Sequence, residues 1–164
     1  MKILVFSDSH GKYERMARVI SRDKYDVVLF LGDGISDFDR LCIDSVGSTK
    51  FIAVKGNCDF FDGTPEERIF DLDGFKVLML HGHTKSVKHG TTVLEYHAME
   101  KGVDLVLYGH THSRDIRRID GEKPFYIFNP GSIGAPSYLS PSFGYIETVN
   151  GQMVLNITDY KEKL

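Results

Sequence analysis

Five short apolar runs in this chain each end in residues able to bind a cation. Lys2–Ser7 stops at Asp8-Ser9-His10, Asp26–Leu31 at Gly32-Asp33, and Lys50–Val54 at Lys55-Gly56-Asn57. Phe75–Leu80 stops at His81-Gly82-His83, and Val103–Tyr108 at Gly109-His110-Thr111-His112. Four of the five endings set Gly beside the polar group, which permits a sharp turn and a close approach to a ligand. Of the 7 histidines, five fall in three clusters. Composition alone would give about 0.25 His-x-His pairs, and two are present. Unpaired Asp and His are costly to bury, so groups gathered this way need a shared partner, and a pair of divalent cations supplies one.

The donor types narrow the chemistry. Asp oxygen, Asn carbonyl and His nitrogen without thiolate suit manganese, iron, nickel, cobalt or zinc in an expanded shell. Calcium would want more carboxylates, and a closed structural zinc site four Cys or His ligands. Two dications less the charges of Asp8 and Asp33 leave about +2, and a bridging hydroxide reduces this to about +1. That remainder favours an anionic substrate such as a phosphate ester. Two cations about 3.5–4 Å apart can also activate a bridging water and stabilise developing oxyanions. No Gly-rich phosphate loop with Lys is present, and nothing around Ser7 or Ser9 has the spacing of a nucleophilic triad.

Strands and turns must position these groups. The five runs are short and apolar, as buried strands are, and the carboxyl ends of strands in α/β sheets form the ligand crevice. Helical spacing is read over Gly11–Asp23, with Met16, Val19 and Ile20 apolar, and over Thr92–Lys101. Ser36–Asp44 also reads as a helix, with Ser36 as its N-cap and Phe38, Leu41 and Cys42 turned inward. Gly56–Pro65 is a loop. Asp73-Gly74, Asp120-Gly121 and Asn150-Gly151 each read as a two-residue hairpin turn, joining Ile69–Leu72 to Phe75–Leu80, Arg117–Asp120 to Pro124–Phe128, and Gly144–Val149 to Gln152–Thr158. Strand–helix alternation early and hairpins late predict an α/β fold with two sheets packed face to face and helices outside.

The chain has 164 residues, which suits one domain spanning 1–164, with 41% hydrophobic and 26% charged residues as in a soluble globular protein. The formal net charge is −3 without a basic run, which argues against long nucleic acid as a partner. No apolar stretch reaches the ~18 residues of a membrane span, and Ile3–Phe6 is too short for a signal-peptide core. Two cysteines, Cys42 and Cys58, make no disulfide framework, and a cytoplasmic location is expected.

Asp8-x-His10, Gly32-Asp33, Gly56-Asn57, His81 and Gly109-His110-x-His112, in that order, resemble the calcineurin-like metallophosphoesterases. Gly56-Asn57-Cys58-Asp59, His81-Gly82-His83 and Asn129-Pro130-Gly131-Ser132 resemble its compact bacterial and archaeal phosphodiesterase branch, and the retromer subunit of the same fold is also similar. The resemblance runs from Lys2 to about Ala135. It implies a four-layer α-β-β-α sandwich of two mixed sheets. It also implies that Asp8, His10 and His112 hold one metal, that Asn57, His81 and His110 hold a second, and that Asp33 bridges both around an attacking hydroxide. Manganese is the expected metal, and the expected substrate is a small phosphate ester, most simply a diester. Many members carry His where this chain has Cys58, near the leaving group. A thiol is the poorer donor, so weak action on monoesters and a preference for activated diesters are expected, with His83 as a substitute donor. The rival reading is a non-catalytic interaction scaffold like the retromer subunit, which has a non-His residue in place of His10.

Plainer readings stand beside these. Cys58 also fits a small hydrophobe, and Asp59 either orients its loop or hydrogen-bonds in support of the ligands, the structural role being the simpler. Asn129–Ser132 reads as a rigid turn under the metal loops, Asp37 as a helix-start residue, His89 and His97 as ordinary surface or helix residues, and Cys42 as helix packing. Phe60 and Phe61 either line the cleft or simply pack. Pro136–Phe143 borders the substrate cleft, forms a homo-oligomer contact, or is a plain loop, the last being simplest.

Overall fold

A computed structural model describes residues 1–45, 47–60 and 62–162; Phe61, one of the two aromatics considered at the cleft, falls outside them. β1 (Lys2–Phe6), β2 (Val27–Phe30), β3 (Lys50–Ala53), β9 (Ser142–Val149) and β10 (Gln152–Asp159) form one sheet in the order β10-β9-β1-β2-β3. β4 (Glu67–Leu72), β5 (Phe75–Leu80), β6 (Leu105–Leu107), β7 (Arg114–Ile119) and β8 (Phe125–Pro130) form the other, in the order β4-β5-β6-β8-β7. Both are mixed. β1 runs parallel to β2 and antiparallel to β9, while β6 runs parallel to β5 and β8, with antiparallel β4 and β7 outside.

Strands buried on both faces explain the apolar runs. Alternate side chains point to opposite sides, so Ile3 and Val5 enter the layer between the sheets with Leu29, Val77, Met79, Leu107 and Phe128. Leu4 and Phe6 point outward and pack under α1 (Tyr13–Ile20) and α2 (Ile35–Asp44) against Met16, Val19, Phe38 and Leu41. On the far side Leu78, Leu80 and Val106 pack under Leu94 and Ala98 of α3 (Thr92–Lys101). The result is the expected four layers, α-β-β-α.

Several local expectations shift. α2 begins at Ile35 with Gly34 as N-cap at φ 140°, so Ser36 lies inside the first turn. The start is fixed from outside the helix, because the Asp59 carboxylate accepts the N–H groups of Gly34 and Ile35. α1 is confined to Tyr13–Ile20. Asp73-Gly74 and Asn150-Gly151 are two-residue turns with positive φ at both positions, as type I′ requires. Asp120-Gly121 is not. Ile119 pairs with Phe125, so residues 120–124 form a longer loop; Pro124 has no N–H to extend the ladder, and Lys123 is drawn to Asp104 at 2.9 Å.

Candidate metal centre

The carboxyl ends of β1, β2, β3, β5 and β6 open at one end of the sandwich, and their loops are stitched together. Asp8 N–H donates to Gly32 O, His10 N–H to Asp33 O, and Gly109 N–H to His81 O, at 2.9, 3.2 and 3.0 Å. Ser132 Oγ donates to Asp8 O, and Asn129 Nδ2 donates to both Gly109 O and Thr111 Oγ1. Asn129–Ser132 therefore does support these loops, although Asn129 and Pro130 are the end of strand β8, paired with Asp115 and Arg114, rather than part of a turn. The approach is close enough that a Cβ on Gly56 would overlap Asp33, and one on Gly109 would overlap Ser7. Hence glycine is needed at both.

Two groups of donors form there. Asp8, His10, Asp33 and His112 make one, and Asp33, His81 and His110 the other, each with one donor atom per residue within 4.8 Å of the rest. Asp33 belongs to both. His112 Nε2 lies 3.0 Å from Asp8 Oδ1, His10 Nε2 3.3 Å from His112 Nε2, His81 Nε2 3.4 Å from Asp33 Oδ2, and His110 Nδ1 3.1 Å from His81 Nε2. Asn57 stands outside both groups of donors; it precedes Cys58, whose N–H donates to Asp33 Oδ1 at 2.8 Å, and its own amide nitrogen lies 3.4 Å from Cys58 Sγ. His83 packs beside them, its ring 5.5 Å from that of His81 and 6.1 Å from that of His110.

The donor chemistry fits cations. His81 Nδ1 faces Leu31 O at 2.6 Å and His112 Nδ1 faces Ala135 O. A carbonyl only accepts, so each Nδ1 carries the proton and each Nε2 presents a lone pair to the site. Asp8 Oδ1 is buried without a hydrogen-bond partner, although three histidine Nε2 atoms lie within 3.9 Å. Lone pairs converging on a buried carboxylate oxygen repel unless positive charge is shared among them. The titration directions agree. Asp8 raises the His112 pKa against the opposing effect of burial. Burial would lower that of His81, but Asp33 and Asp8 outweigh it and the net shift is upward. Burial would raise Asp33, but His81 and the Cys58 N–H bring it well below the usual carboxylate range. His110 is pushed down to about 4 by burial and the nearby His81, so near neutral pH its ring is neutral and one nitrogen keeps a lone pair. Burial and Asp33 push the Cys58 thiol up to about 11.

One feature was not foreseen. Five of the expected ligands, Asp8, His10, Asp33, His110 and His112, have φ between 43° and 66°, a left-handed conformation that non-glycine residues adopt at a cost. Asp59 does more than order its own loop. Its carboxylate accepts N–H groups from Asp33, Gly34, Ile35 and Gly56 at 2.7–2.9 Å, clamping two of the ligand loops together. Asp37 accepts from Ser9 Oγ and Gly11 N, outside both donor groups. His97 pairs with Glu67 at 2.7 Å and serves structure. A larger cavity of about 670 Å³ lies elsewhere, beside Tyr13, Asp26 and Asp44. Among the described residues its carboxylates are already engaged, Asp44 by Tyr13 OH, Asp26 by Lys2 N–H and Asp23 by Lys2 Nζ.

Fold and site together define a protein that gathers carboxylates and imidazoles at a strand-end crevice, a donor set able to hold metal. The sequence profile of the calcineurin-like phosphoesterase superfamily domain matches residues 1–151, and the chain belongs to that superfamily. It is 31% identical over 136 residues to the probable metallophosphoesterase YsnB of Bacillus subtilis, covering 83% of this chain and 77% of that protein. It is 29% identical to a phosphodiesterase of Methanocaldococcus jannaschii over 90% of this chain and 93% of that one. Among solved structures, a predicted phosphoesterase of Streptococcus pneumoniae superposes with TM-score 0.78 at 26% identity, over 99% of this chain and 94% of that one. Vps29 of Entamoeba histolytica superposes with TM-score 0.74 at 25% identity, over 98% and 100%. No helix among the described residues is long and apolar enough to cross a membrane.

Proposed function

We propose that this chain is a binuclear metal-dependent phosphodiesterase acting on small phosphate esters. In this reading Asp8, His10 and His112 hold one cation, Asn57, His81 and His110 hold a second, and Asp33 serves both. Manganese is the first metal to test, with nickel, iron, cobalt and zinc also suited to these donors. When bound, two such cations would activate water and neutralise the charge that grows on the phosphoryl oxygens. The observation that carries the reading is the buried, unpartnered Asp8 Oδ1 at the focus of the imidazoles.

The chain's own residues set the preference for diesters. His81 and His112 keep their protons on Nδ1, so Nε2 is free to coordinate. Cys58 meets Asp33 through its N–H and His83 packs 5.5 Å from the His81 ring; in this reading both face the leaving oxygen. With its thiol at about 11, Cys58 stays protonated near neutrality and donates a hydrogen bond but no positive charge. Burial and His81 lower the His83 pKa, so its imidazole is neutral as well. Poor leaving groups therefore gain little help, and activated diesters should react best. A scaffold without turnover is the second reading, supported by the likeness to Vps29; the retention of His10 in Asp8-x-His10 favours the enzyme. The manganese-loaded protein should hydrolyse bis-p-nitrophenyl phosphate faster than p-nitrophenyl phosphate. Full metal occupancy with no hydrolysis of any ester would support the scaffold instead.

A further inference from the structure

Beside His112 the structure contains a second, smaller recess of about 170 Å³, lined by His112, Arg114, Pro136, Tyr138, Leu139 and Ser140 among others. Its outer wall belongs to the loop between β8 and β9, and that loop is fastened to the metal centre. His112 Nδ1 donates to Ala135 O, Ser137 N–H to His112 O, and Ser137 Oγ to Thr111 O. The next two residues, Tyr138 and Leu139, are 93% and 64% exposed. An aromatic ring standing in water beside a tethered loop residue is a stacking surface for another ring. The charge of Arg114 is already met by Asp159 and its NH2 group by Ser140 O, while its buried Nε–H has no acceptor; the recess therefore offers one unmatched N–H donor but no unpaired cation for an anion.

We propose that this recess is a subsite for one ester arm of the phosphodiester, and that the arm it takes is a neutral planar ring, a nucleobase or an aryl group, stacked on Tyr138. This deepens the diesterase reading and rests on it. His83 lies by the second donor group, its ring 5.5 Å from that of His81, and with the leaving oxygen on that side the arm held beside His112 is the one retained after hydrolysis. The volume is enough for one ring system and not for a polymer, which matches a small substrate.

Three diesters with the same p-nitrophenyl leaving group separate the terms: the methyl, the phenyl and the thymidine 5′ ester. With identical leaving groups, differences in kcat/KM report the retained arm. The manganese-loaded protein should favour one or both ring-bearing esters over the methyl ester by about tenfold, the scale of one stacked base. Which of the two leads distinguishes an aryl from a nucleobase preference. Tyr138→Ala should collapse that ratio toward one, and Tyr138→Phe should keep it. The chain has no tryptophan, so Tyr138→Trp supplies a single fluorescent reporter that thymidine 5′-monophosphate should quench and methyl phosphate should not. Equal rates on all three esters in the wild type, or a ratio unchanged by Tyr138→Ala, would overturn the subsite. If no ester is hydrolysed the diesterase reading fails, and the fluorescence titration then decides the subsite alone: quenching by the nucleotide upholds it and no quenching overturns it.

Discussion

Cys58 is exposed, yet its thiol is held at about 11 by partial desolvation and the Asp33 carboxylate. The thiolate is the reactive form, and it accounts for roughly a thousandth of the residue at pH 8. Iodoacetamide should therefore modify Cys58 slowly at pH 8, and the rate should climb about tenfold per pH unit until it levels near pH 11. Rapid alkylation at neutral pH would contradict the environment described for this side chain. His110 is a different case. Its depressed pKa keeps it neutral, and its Nδ1 faces His81 Nε2, so His110→Ala should lower bound manganese from two ions to one per chain and reduce hydrolysis at least a hundredfold. Retention of both ions, measured by elemental analysis, would remove His110 from the ligand set. These residues were legible in the sequence because each ends an apolar run and most stand beside glycine. Their left-handed backbone was not, since φ at Asp8 or His112 is set by the strands and loops that meet there rather than by neighbours in the chain.

At the level of elements, the site depends on how firmly separate loops are joined. Asp59 joins the loop after β2 to the loop after β3 and also takes the first N–H groups of α2. Asp59→Ala leaves four backbone donors without this acceptor, and urea unfolding of the metal-free protein should show a loss of about 2–4 kcal/mol. Manganese binding should weaken as well, because Asp33 sits in the loosened loop. Unchanged stability would mean that water replaces the carboxylate without penalty. The same contact explains why the start of α2 was misplaced by local reasoning. Ser36 has the composition of an N-cap, but the acceptor comes from 24 residues away, beyond any pattern around the helix. The hairpin at Asp120-Gly121 failed for a similar reason, its strands being set back by Pro124 and by the pull of Asp104 on Lys123.

Across the whole molecule, the sandwich follows from strands apolar on both faces, which cannot sit at a surface. Ile3 and Val5 meet the opposite sheet while Leu4 and Phe6 meet the helices, and that double burial was visible as an unbroken apolar run. The long-range pairing was not visible: β9 returns from the far end of the chain to lie against β1, with Lys2 opposite Glu147. This closure brings strand ends distant in sequence to one rim, where two donor groups share Asp33. This shared geometry suits a working pair of cations. The direct test is to add manganese stepwise to metal-free protein and to measure bis-p-nitrophenyl phosphate hydrolysis against the number of ions bound per chain. Little turnover is expected with one ion bound and full turnover as the second is taken up. Two ions bound without turnover, or full activity with a single ion, would contradict that reading.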